Sequence, residues 1–168
     1  GDGKAVLSVV RTADLVVFVL SAFEIDQYER LHRELYANKI RLDASPPDVR
    51  VSRRGRGGIR VTTTDDVDLG EGTIRNVLRE HGYVNADVTV RGDVTIDELV
   101  DGVMDNRVYL PSTVAVNKAD LIDRDYLPTV REELDEVGVD PDDAVFISAT
   151  EERGLDALVD RLWDELGL

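Results

Sequence analysis

The pattern of apolar and polar positions divides the chain into segments of two kinds. Three short runs are continuously apolar and rich in β-branched residues, as in strands buried on both faces of a parallel sheet. These runs are Asp14–Leu20, Thr113–Val116 and Ala144–Ile147. Each is followed by apolar residues at helical spacing, over Glu24–Lys39, Leu127–Val137 and Leu155–Leu166, and Ala5–Arg11 predicts one further short helix. The alternation of strand and helix predicts one half of a doubly wound α/β domain.

The last of these helices carries the only tryptophan of the chain. Its apolar side comprises Leu155, Leu158, Leu162, Trp163 and Leu166. Because the neighbours of Trp163 at helical spacing are all apolar, we expect this side chain to lie in the core.

The middle of the chain has a different pattern, beginning after a break at Asp43–Pro47. Val49–Val51 and Gly58–Thr63 alternate in polarity, which predicts half-exposed strands, and the segment between them predicts a hairpin. The pattern then predicts a helix over Glu71–Arg79, a strand over Ala86–Val90 and a helix that Thr95 caps. These elements predict a small inserted α+β domain over residues 46–109, flanked by residues 1–45 and 110–168 of the larger domain.

The composition narrows the classes of protein that the chain can represent. A net charge of −15 disfavours non-specific attraction of the whole chain to nucleic acid or to an anionic membrane. Only three lysines accompany the aspartate-rich acid excess, which we interpret as adaptation of a halophilic surface to high salt. The lack of cysteine excludes disulfides and thiolate chemistry, and two histidines are too few for a metal cluster. No apolar run reaches membrane-spanning length, so we expect a cytoplasmic protein with no membrane partner.

The second apolar run leads directly into the motif Asn117-Lys118-Ala119-Asp120. Open α/β sheets bind ligands at the carboxyl ends of their strands. There the Asp120 carboxylate can accept hydrogen bonds from the ring N–H and the amino group of guanine. The methylene groups of Lys118 can lie along the base, and Asn117 can connect the loop to neighbouring backbone. Adenine lacks this donor pair and would leave the carboxylate unpaired. The four-residue pattern alone also suits an ordinary polar turn.

The third apolar run ends in a second polar turn, Ser148-Ala149-Thr150. Because successive strand ends of a parallel sheet lie on the same edge, the two turns can converge on one ligand. The backbone N–H of the small Ala149 can then donate to the guanine carbonyl. Two unrelated turns are the alternative, but they do not explain the matching position and chemistry. We therefore predict a guanine site formed by Asn117, Lys118, Asp120, Ser148, Ala149 and Thr150.

Further segments resemble one family of GTPases. They are Val9–Leu15 and Leu162–Leu168 and, in the middle, Gly57–Ile59 and Asn85–Val88. Together with the two turns they make the chain similar, over essentially its whole length, to the GTP-binding domain of the Obg-like GTPases, specifically an archaeal version of the developmentally regulated GTP-binding protein (Drg) family. The resemblance implies a partial P-loop-NTPase-type (Ras-like) doubly wound parallel sheet with an inserted ribosomal-protein-like α+β domain. It also implies GTP or GDP as ligand and the ribosome or RNA as a partner.

The sequence also departs from the pattern of this family. Family members begin with a phosphate loop, a switch threonine and an Asp-x-x-Gly magnesium turn, and they continue into a TGS domain. The opening Gly1–Lys4 does not form such a phosphate loop, because it lacks the Gly-x-x-x-x-Gly-Lys spacing and Ala5 follows the lysine. Within the resemblance, this segment is similar to the tail of the second switch. We therefore expect the chain alone to hold no catalytic and no metal-binding residue and to hydrolyse no GTP, with Mg²⁺ bound only by the full-length protein.

An arginine cluster supports a competing interpretation of the function. Five arginines lie close together in an otherwise acidic chain: Arg50, Arg53, Arg54, Arg56 and Arg60. Local positive charge of this kind is typical of a surface that contacts RNA phosphates. The alternative is a flexible, solvated hairpin whose arginines pair with nearby acids such as Asp65, Asp66 and Asp68. A third interpretation is an interaction module that keeps GTPase features only as a scaffold.

Overall fold

The chain forms two hydrophobic cores, each in its own compact unit. The computed structural model describes residues 2–167, so Gly1 of the predicted glycine-rich opening and Leu168 of the family-like terminal segment lie outside it. The outer unit comprises the residues up to Ala44 and from Val108 onward, and the middle unit comprises Ser45–Arg107. Along the chain the elements are α1 (Asp2–Val10), β1 (Val16–Ser21), α2 (Gln27–Ala37), β2 (Ile40–Leu42), β3 (Val49–Arg53), β4 (Ile59–Thr63), α3 (Glu71–Glu80), β5 (Ala86–Val90), α4 (Ile96–Met104), β6 (Val108–Leu110), β7 (Ser112–Asn117), α5 (Leu127–Glu136), β8 (Val145–Phe146) and α6 (Leu155–Leu166), with a 3₁₀ turn at Ala119–Leu121.

The main sheet of the outer unit consists of three parallel strands in the order β1-β7-β8. The predicted parallel arrangement of the three apolar runs is therefore confirmed. β7 is the central strand, and Val114, Ala115 and Val116 are buried in it. The expectation that β1 is buried on both faces is wrong, because Val19 is 58% exposed. Within the described residues β1 pairs only with β7 and forms an edge of the sheet.

A second, two-stranded parallel sheet joins β2 to β6. Sequence patterning does not predict it, because strands of three residues are too short to show periodicity. The side chain of Asp43 connects this pair to the start of β7 by accepting hydrogen bonds from the Ser112 backbone N–H at 2.7 Å and from the Ser112 hydroxyl. This contact fixes where the central strand begins.

The helices of the outer unit cover the main sheet to different extents. α2 contributes Leu35 to the core and α5 contributes Val130 and Leu134. α6 has no buried residue among those described, and its Trp163 is 52% exposed. The expectation that Trp163 lies in the core is therefore wrong. Helical periodicity identifies the apolar side of a helix, but it does not show that another element covers that side.

The middle unit is a three-stranded sheet in the order β3-β5-β4. β5 runs antiparallel to β3 and parallel to β4, so it lies between the two strands that the sequence predicts as a hairpin. The hairpin prediction is therefore wrong: residues 54–58 form a connection around the end of β5. Asn85 holds this connection, because its backbone carbonyl accepts from Arg54 N–H at 3.0 Å and its side-chain oxygen accepts from Gly58 N–H at 2.8 Å.

One face of this sheet is covered by α3 and α4, whose buried residues include Ile74, Leu78 and Leu99. The predicted cap of α4 is confirmed as a reciprocal capping box between Thr95 and Glu98. Close packing of α4 on β3 requires Gly102, since a Cβ there would lie 2.6 Å from the Cβ of Val49. No described helix is both long and apolar enough to cross a membrane.

Candidate functional site

The carboxyl end of β7 presents the first predicted turn. Asn117 is the last residue of the strand, and its carbonyl accepts a hydrogen bond from Ala22 N–H at 3.0 Å. Lys118 then adopts a left-handed conformation with φ 67°, which costs a non-glycine residue roughly 1–2 kcal/mol and turns the chain sharply out of the sheet. The side chains of Lys118 and Asp120 are exposed, and neither forms a hydrogen bond or an ion pair with any other described residue. Both are therefore available to a ligand.

The carboxyl end of β8 presents the second predicted turn in a tightly closed form. Ser148 is buried and exchanges two backbone hydrogen bonds of 3.0 Å with Arg153, which close the segment between them. The Ser148 hydroxyl oxygen accepts a further bond from Glu151 N–H at 3.1 Å. Ala149 and Thr150 are exposed at the tip. Ser148 thus shapes the turn from inside, whereas its two neighbours face outward.

Two hydrogen bonds connect these turns directly. Ala119 N–H donates to the Ile147 carbonyl at 3.0 Å, and Ala149 N–H donates to Asn117 Oδ1 at 3.1 Å. Between them Ile147 N–H donates to the Val116 carbonyl at 2.8 Å, so the contact continues the pairing of β7 with β8. The structure therefore brings all six predicted residues to one edge of the sheet. In this arrangement Asn117 Oδ1 accepts the hydrogen bond of the Ala149 N–H. The sequence analysis predicts that this N–H donates to the guanine carbonyl.

Residues that the sequence did not single out support the same edge. Asp123 accepts hydrogen bonds from the backbone N–H groups of Asp125 and Tyr126 through Oδ1, which folds the loop after the 3₁₀ turn. The ring of Tyr126 stacks on that of Phe23, which follows β1, at 5.7 Å between ring centroids. Beside this loop lies a cavity of about 380 Å³ lined by Ala119, Ile122, Asp123, Arg124, Leu127, Arg131 and Phe146. Lys118 and Asp120 do not line this cavity, and both are exposed.

The arginines of the middle unit are not equivalent in their contacts. Arg54 pairs with Asp87 at 3.0 Å, and the Arg53 guanidinium lies 4.1 Å from the ring centroid of Tyr83. Arg50 makes a long ion pair of 3.9 Å with Asp48. Arg56 and Arg60 are exposed and have no ionic or hydrogen-bond partner among the side chains that the structure describes, those of residues 6–167. The partners expected from the sequence, Asp65, Asp66 and Asp68, pair with none of the five arginines in the ion pairs that the described residues form.

The arginines lie on a charged side of the middle unit. Its strands and their connection, residues 48–63 and 85–91, carry six arginines and two aspartates, whereas the remainder of the unit carries three arginines and ten acidic residues. The exposed positions of the strands alternate with the buried ones, so Arg50, Arg60 and Asp87 lie on the sheet face opposite the helices. The strand segments of the unit are thus basic, whereas the remainder of the unit is acidic.

Among the described residues, no group of three or more histidines, aspartates or glutamates is arranged to hold a metal ion. The exposed side chains of Lys118 and Asp120 suit a ligand with both donor groups and a flat apolar surface.

Comparison with known proteins decides the family. A family model described as the C-terminal region of the MMR_HSR1 domain matches residues 56–168. A GTP-binding protein of Halobacterium salinarum is 57% identical over 168 residues, which are 100% of this chain and 45% of that protein. The developmentally-regulated GTP-binding protein 1 of Xenopus laevis is 35% identical over 100% of this chain and 44% of its own length. The chain belongs to the Drg family of GTP-binding proteins.

Membership of the Drg family agrees with the architecture. A mixed α/β fold with a parallel sheet fits part of a P-loop GTPase. A GTP-binding protein of Methanocaldococcus jannaschii, 40% identical over 99% of this chain and 42% of its own length, extends the relationship within the family. This Drg-family chain spans less than half the length of the curated relatives that it matches. The relationship supports a GTPase-related function.

Proposed function

We propose that this chain selects guanine nucleotides by reading the base at the carboxyl edge of β7 and β8. The observation that carries the proposal is the unpartnered pair Lys118 and Asp120, held beside a second turn by hydrogen bonds from Ala119 and Ala149. Relatives of the chain are named GTP-binding proteins, which supports guanine as the base.

Each group at this edge has a chemical role toward the base. The Asp120 carboxylate accepts from the ring N–H and the exocyclic amino group of guanine, two charge-assisted hydrogen bonds. The Lys118 methylenes pack on the flat ring while the ammonium group stays in water. The Ala149 N–H, which donates to Asn117 Oδ1 at 3.1 Å, also lies at the surface where a guanine carbonyl can share or take over the bond. Ser148 shapes the turn, and Thr150 lies at its exposed tip.

The proposal for this chain is limited to base recognition. GTP hydrolysis, with Mg²⁺ bound to the phosphates, is a proposal for the full-length protein. The 168-residue chain alone is expected to show no turnover, because its sequence contains no Gly-x-x-x-x-Gly-Lys phosphate loop. We further propose a cytoplasmic location and a G domain interrupted by a ribosomal-protein-like insert that corresponds to the middle unit.

The test is calorimetric titration of the full-length protein with GDP and with ADP. GDP is expected to bind at least about a hundredfold more tightly, because adenine leaves Asp120 unpaired. Asp120→Ala should remove most of this preference. Equal affinity of the wild type for both nucleotides would contradict the proposal.

A second candidate function is RNA binding, as at a ribosome, through the sheet side of the middle unit. The observation that favours it is the charge segregation within that unit, together with the unpartnered Arg56 and Arg60. Arginines that have no internal partner can bind phosphates without first breaking an ion pair, whereas Arg54 would have to leave Asp87. The strand face beside them carries Thr62 and Thr89, which can add hydrogen bonds to the RNA backbone.

The salt dependence of binding to a structured ribosomal RNA fragment tests this second function. Replacing both Arg56 and Arg60 with serine removes two phosphate contacts, so the slope of log affinity against log salt should fall by roughly 1.4–1.8. The matched control is Arg79→Ser on α3, which removes the same charge from the acidic side of the unit and should leave the slope unchanged. An unchanged slope in the double variant would exclude this surface.

A further inference from the structure

Gly154 occupies a position in which no side chain fits. It is the residue before α6 and has a left-handed conformation with φ 70° and ψ 1°. A Cβ at this position would lie 2.3 Å from the Phe146 carbonyl oxygen and 3.3 Å from Ile147 Cα. Ordinary contacts of this kind are about 3.5 Å, so a methyl group would push the strand and the helix apart by roughly 1 Å. The start of α6 can therefore approach the end of β8 only through this glycine.

The backbone that Gly154 approaches is the one that carries the base-reading turn. Ile147 accepts from Ala119 and donates to Val116, so it connects β8 to the loop containing Lys118 and Asp120. On the other side, the segment from Ser148 to Arg153 closes directly before Gly154 through the two backbone hydrogen bonds of 3.0 Å. A displacement of about 1 Å here would move the Ala149 N–H relative to Asn117, because the turn is held through the same backbone, by its Ser148–Arg153 hydrogen bonds and by the bond from Glu151 N–H to the Ser148 hydroxyl.

We propose that Gly154 is a positioning residue for base discrimination: it lets α6 hold the Ala149 N–H where it meets the 6-carbonyl of guanine. Gly154 has no contact with the nucleotide in this account and acts through the end of β8. The inference rests on the proposed guanine site and deepens it. It divides base recognition between two independent parts, since Asp120 reads the ring N–H and the amino group while the turn held by Gly154 reads the carbonyl.

Two nucleotide analogues separate these parts. In 6-thio-GDP a sulfur, which is a weak hydrogen-bond acceptor, replaces the 6-oxygen, so the affinity ratio of GDP to 6-thio-GDP reports the carbonyl contact. Inosine diphosphate keeps the 6-oxygen and the ring N–H but lacks the amino group, so the ratio of GDP to inosine diphosphate reports the contact with Asp120. A general loss of structure would weaken the binding of all three nucleotides in proportion and leave both ratios unchanged.

The experiment measures both ratios in the full-length protein and in Gly154→Ala. In Gly154→Ala we expect the affinity for GDP to fall by about tenfold, the equivalent of one hydrogen bond. The affinity ratio of GDP to 6-thio-GDP should approach one. The affinity ratio of GDP to inosine diphosphate should keep its wild-type value. Gly138→Ala is the matched control, because Gly138 also has a positive φ, 81°, but has nothing within 4 Å of an added Cβ. It should keep both ratios, as should Arg153→Ala, since Arg153 closes the turn through its backbone.

A second variant decides the matter if Gly154→Ala does not fold. Arg153→Pro removes the N–H that donates to the Ser148 carbonyl and so loosens the same turn without a collision at residue 154. It is expected to lower the ratio of GDP to 6-thio-GDP in the same way. Equal weakening of all three nucleotides, or unchanged ratios in the folded variants, would overturn the role of Gly154. A wild type that binds GDP no better than ADP would instead overturn the proposed function itself.

Discussion

A buried ion pair in the middle unit gives the sharpest prediction about stability. Arg107 Nε donates to Asp101 Oδ1 at 2.7 Å, and the two side chains are only 13% and 7% exposed. Arg107 also donates to the side chain of Asn106. Replacing Asp101 with alanine leaves a guanidinium with little access to water and without its carboxylate, which typically costs about 3–5 kcal/mol. We expect Asp101→Ala to destabilise the unit by this amount.

The two partners are expected to be strongly coupled. Arg107→Ala should cost a similar amount, because it leaves the Asp101 carboxylate buried without its guanidinium. The double variant should be far less destabilised than the sum of the two single variants, since no uncompensated charge remains. The matched control is Glu71→Ala in α3 of the same unit, which removes a more exposed ion pair with Arg75 and should cost about 1 kcal/mol or less.

Native-state hydrogen exchange is the assay that measures this effect. The only tryptophan, Trp163, belongs to the outer unit, so its fluorescence does not report on the middle unit. The amides of β3 and β5 exchange through opening of their own sheet, and their protection gives the free energy of that opening. If the protection of these amides falls no more in Asp101→Ala than in the Glu71→Ala control, burial of the ion pair does not set its contribution.

The remaining predictions concern pH, salt and the contact between the two turns. Burial and then the negative Asp43 raise the pKa of Tyr28 above its ordinary value near 10. The contribution of Tyr28 to stability should therefore be fully present below about pH 10 and be lost as the pH rises through the raised value, so urea titrations above pH 10 should show a smaller fall in Tyr28→Phe. The net charge of −15 predicts a melting temperature that rises from low to molar KCl, measured by circular dichroism, because salt screens the self-repulsion. Asn117→Ala, which removes the acceptor of the Ala149 N–H, should lower stability by about 0.5–1.5 kcal/mol in urea denaturation, whereas Asn117→Asp keeps an acceptor and should be close to wild type.

Local patterns were sufficient to predict most elements, but they could not predict non-local pairing. The alternating segments around β3 and β4 suggested a hairpin because the arginine- and glycine-rich segment between them resembles a turn. Insertion of β5 between the two strands depends on Asn85, which lies 27 residues after Gly58, and a local pattern contains no information about such a contact. Likewise, the apolar side of α6 is visible in the sequence, whereas the exposure of Trp163 depends on what packs there.

The residues of the candidate site could be predicted from the sequence for a physical reason. That reason does not extend to the contacts that hold these residues in place. A buried parallel strand delivers polar residues to its carboxyl end, so Asn117, Lys118 and Asp120 stand out in the sequence. The hydrogen bond from Ala149 to Asn117 joins residues 32 positions apart and requires the register of β7 with β8. The role of Gly154 depends on the 2.3 Å that would separate an added Cβ from the Phe146 carbonyl oxygen, a distance that only the structure shows. The glycine directly before the predicted helix is nevertheless a signal that is visible in the sequence.

The central claim is that Asp120 reads the guanine base, and reversal of base preference tests it most directly. Asp120→Asn replaces one carboxylate oxygen with an amide N–H₂ donor, which matches the 2-carbonyl of xanthine instead of the 2-amino group of guanine. The measurement is calorimetric titration of the full-length wild type and variant with GDP and with xanthosine diphosphate. We expect the wild type to prefer GDP and the variant to prefer xanthosine diphosphate, with a change of at least about a hundredfold in the ratio of the two affinities. A variant that keeps the wild-type preference for GDP would contradict the claim.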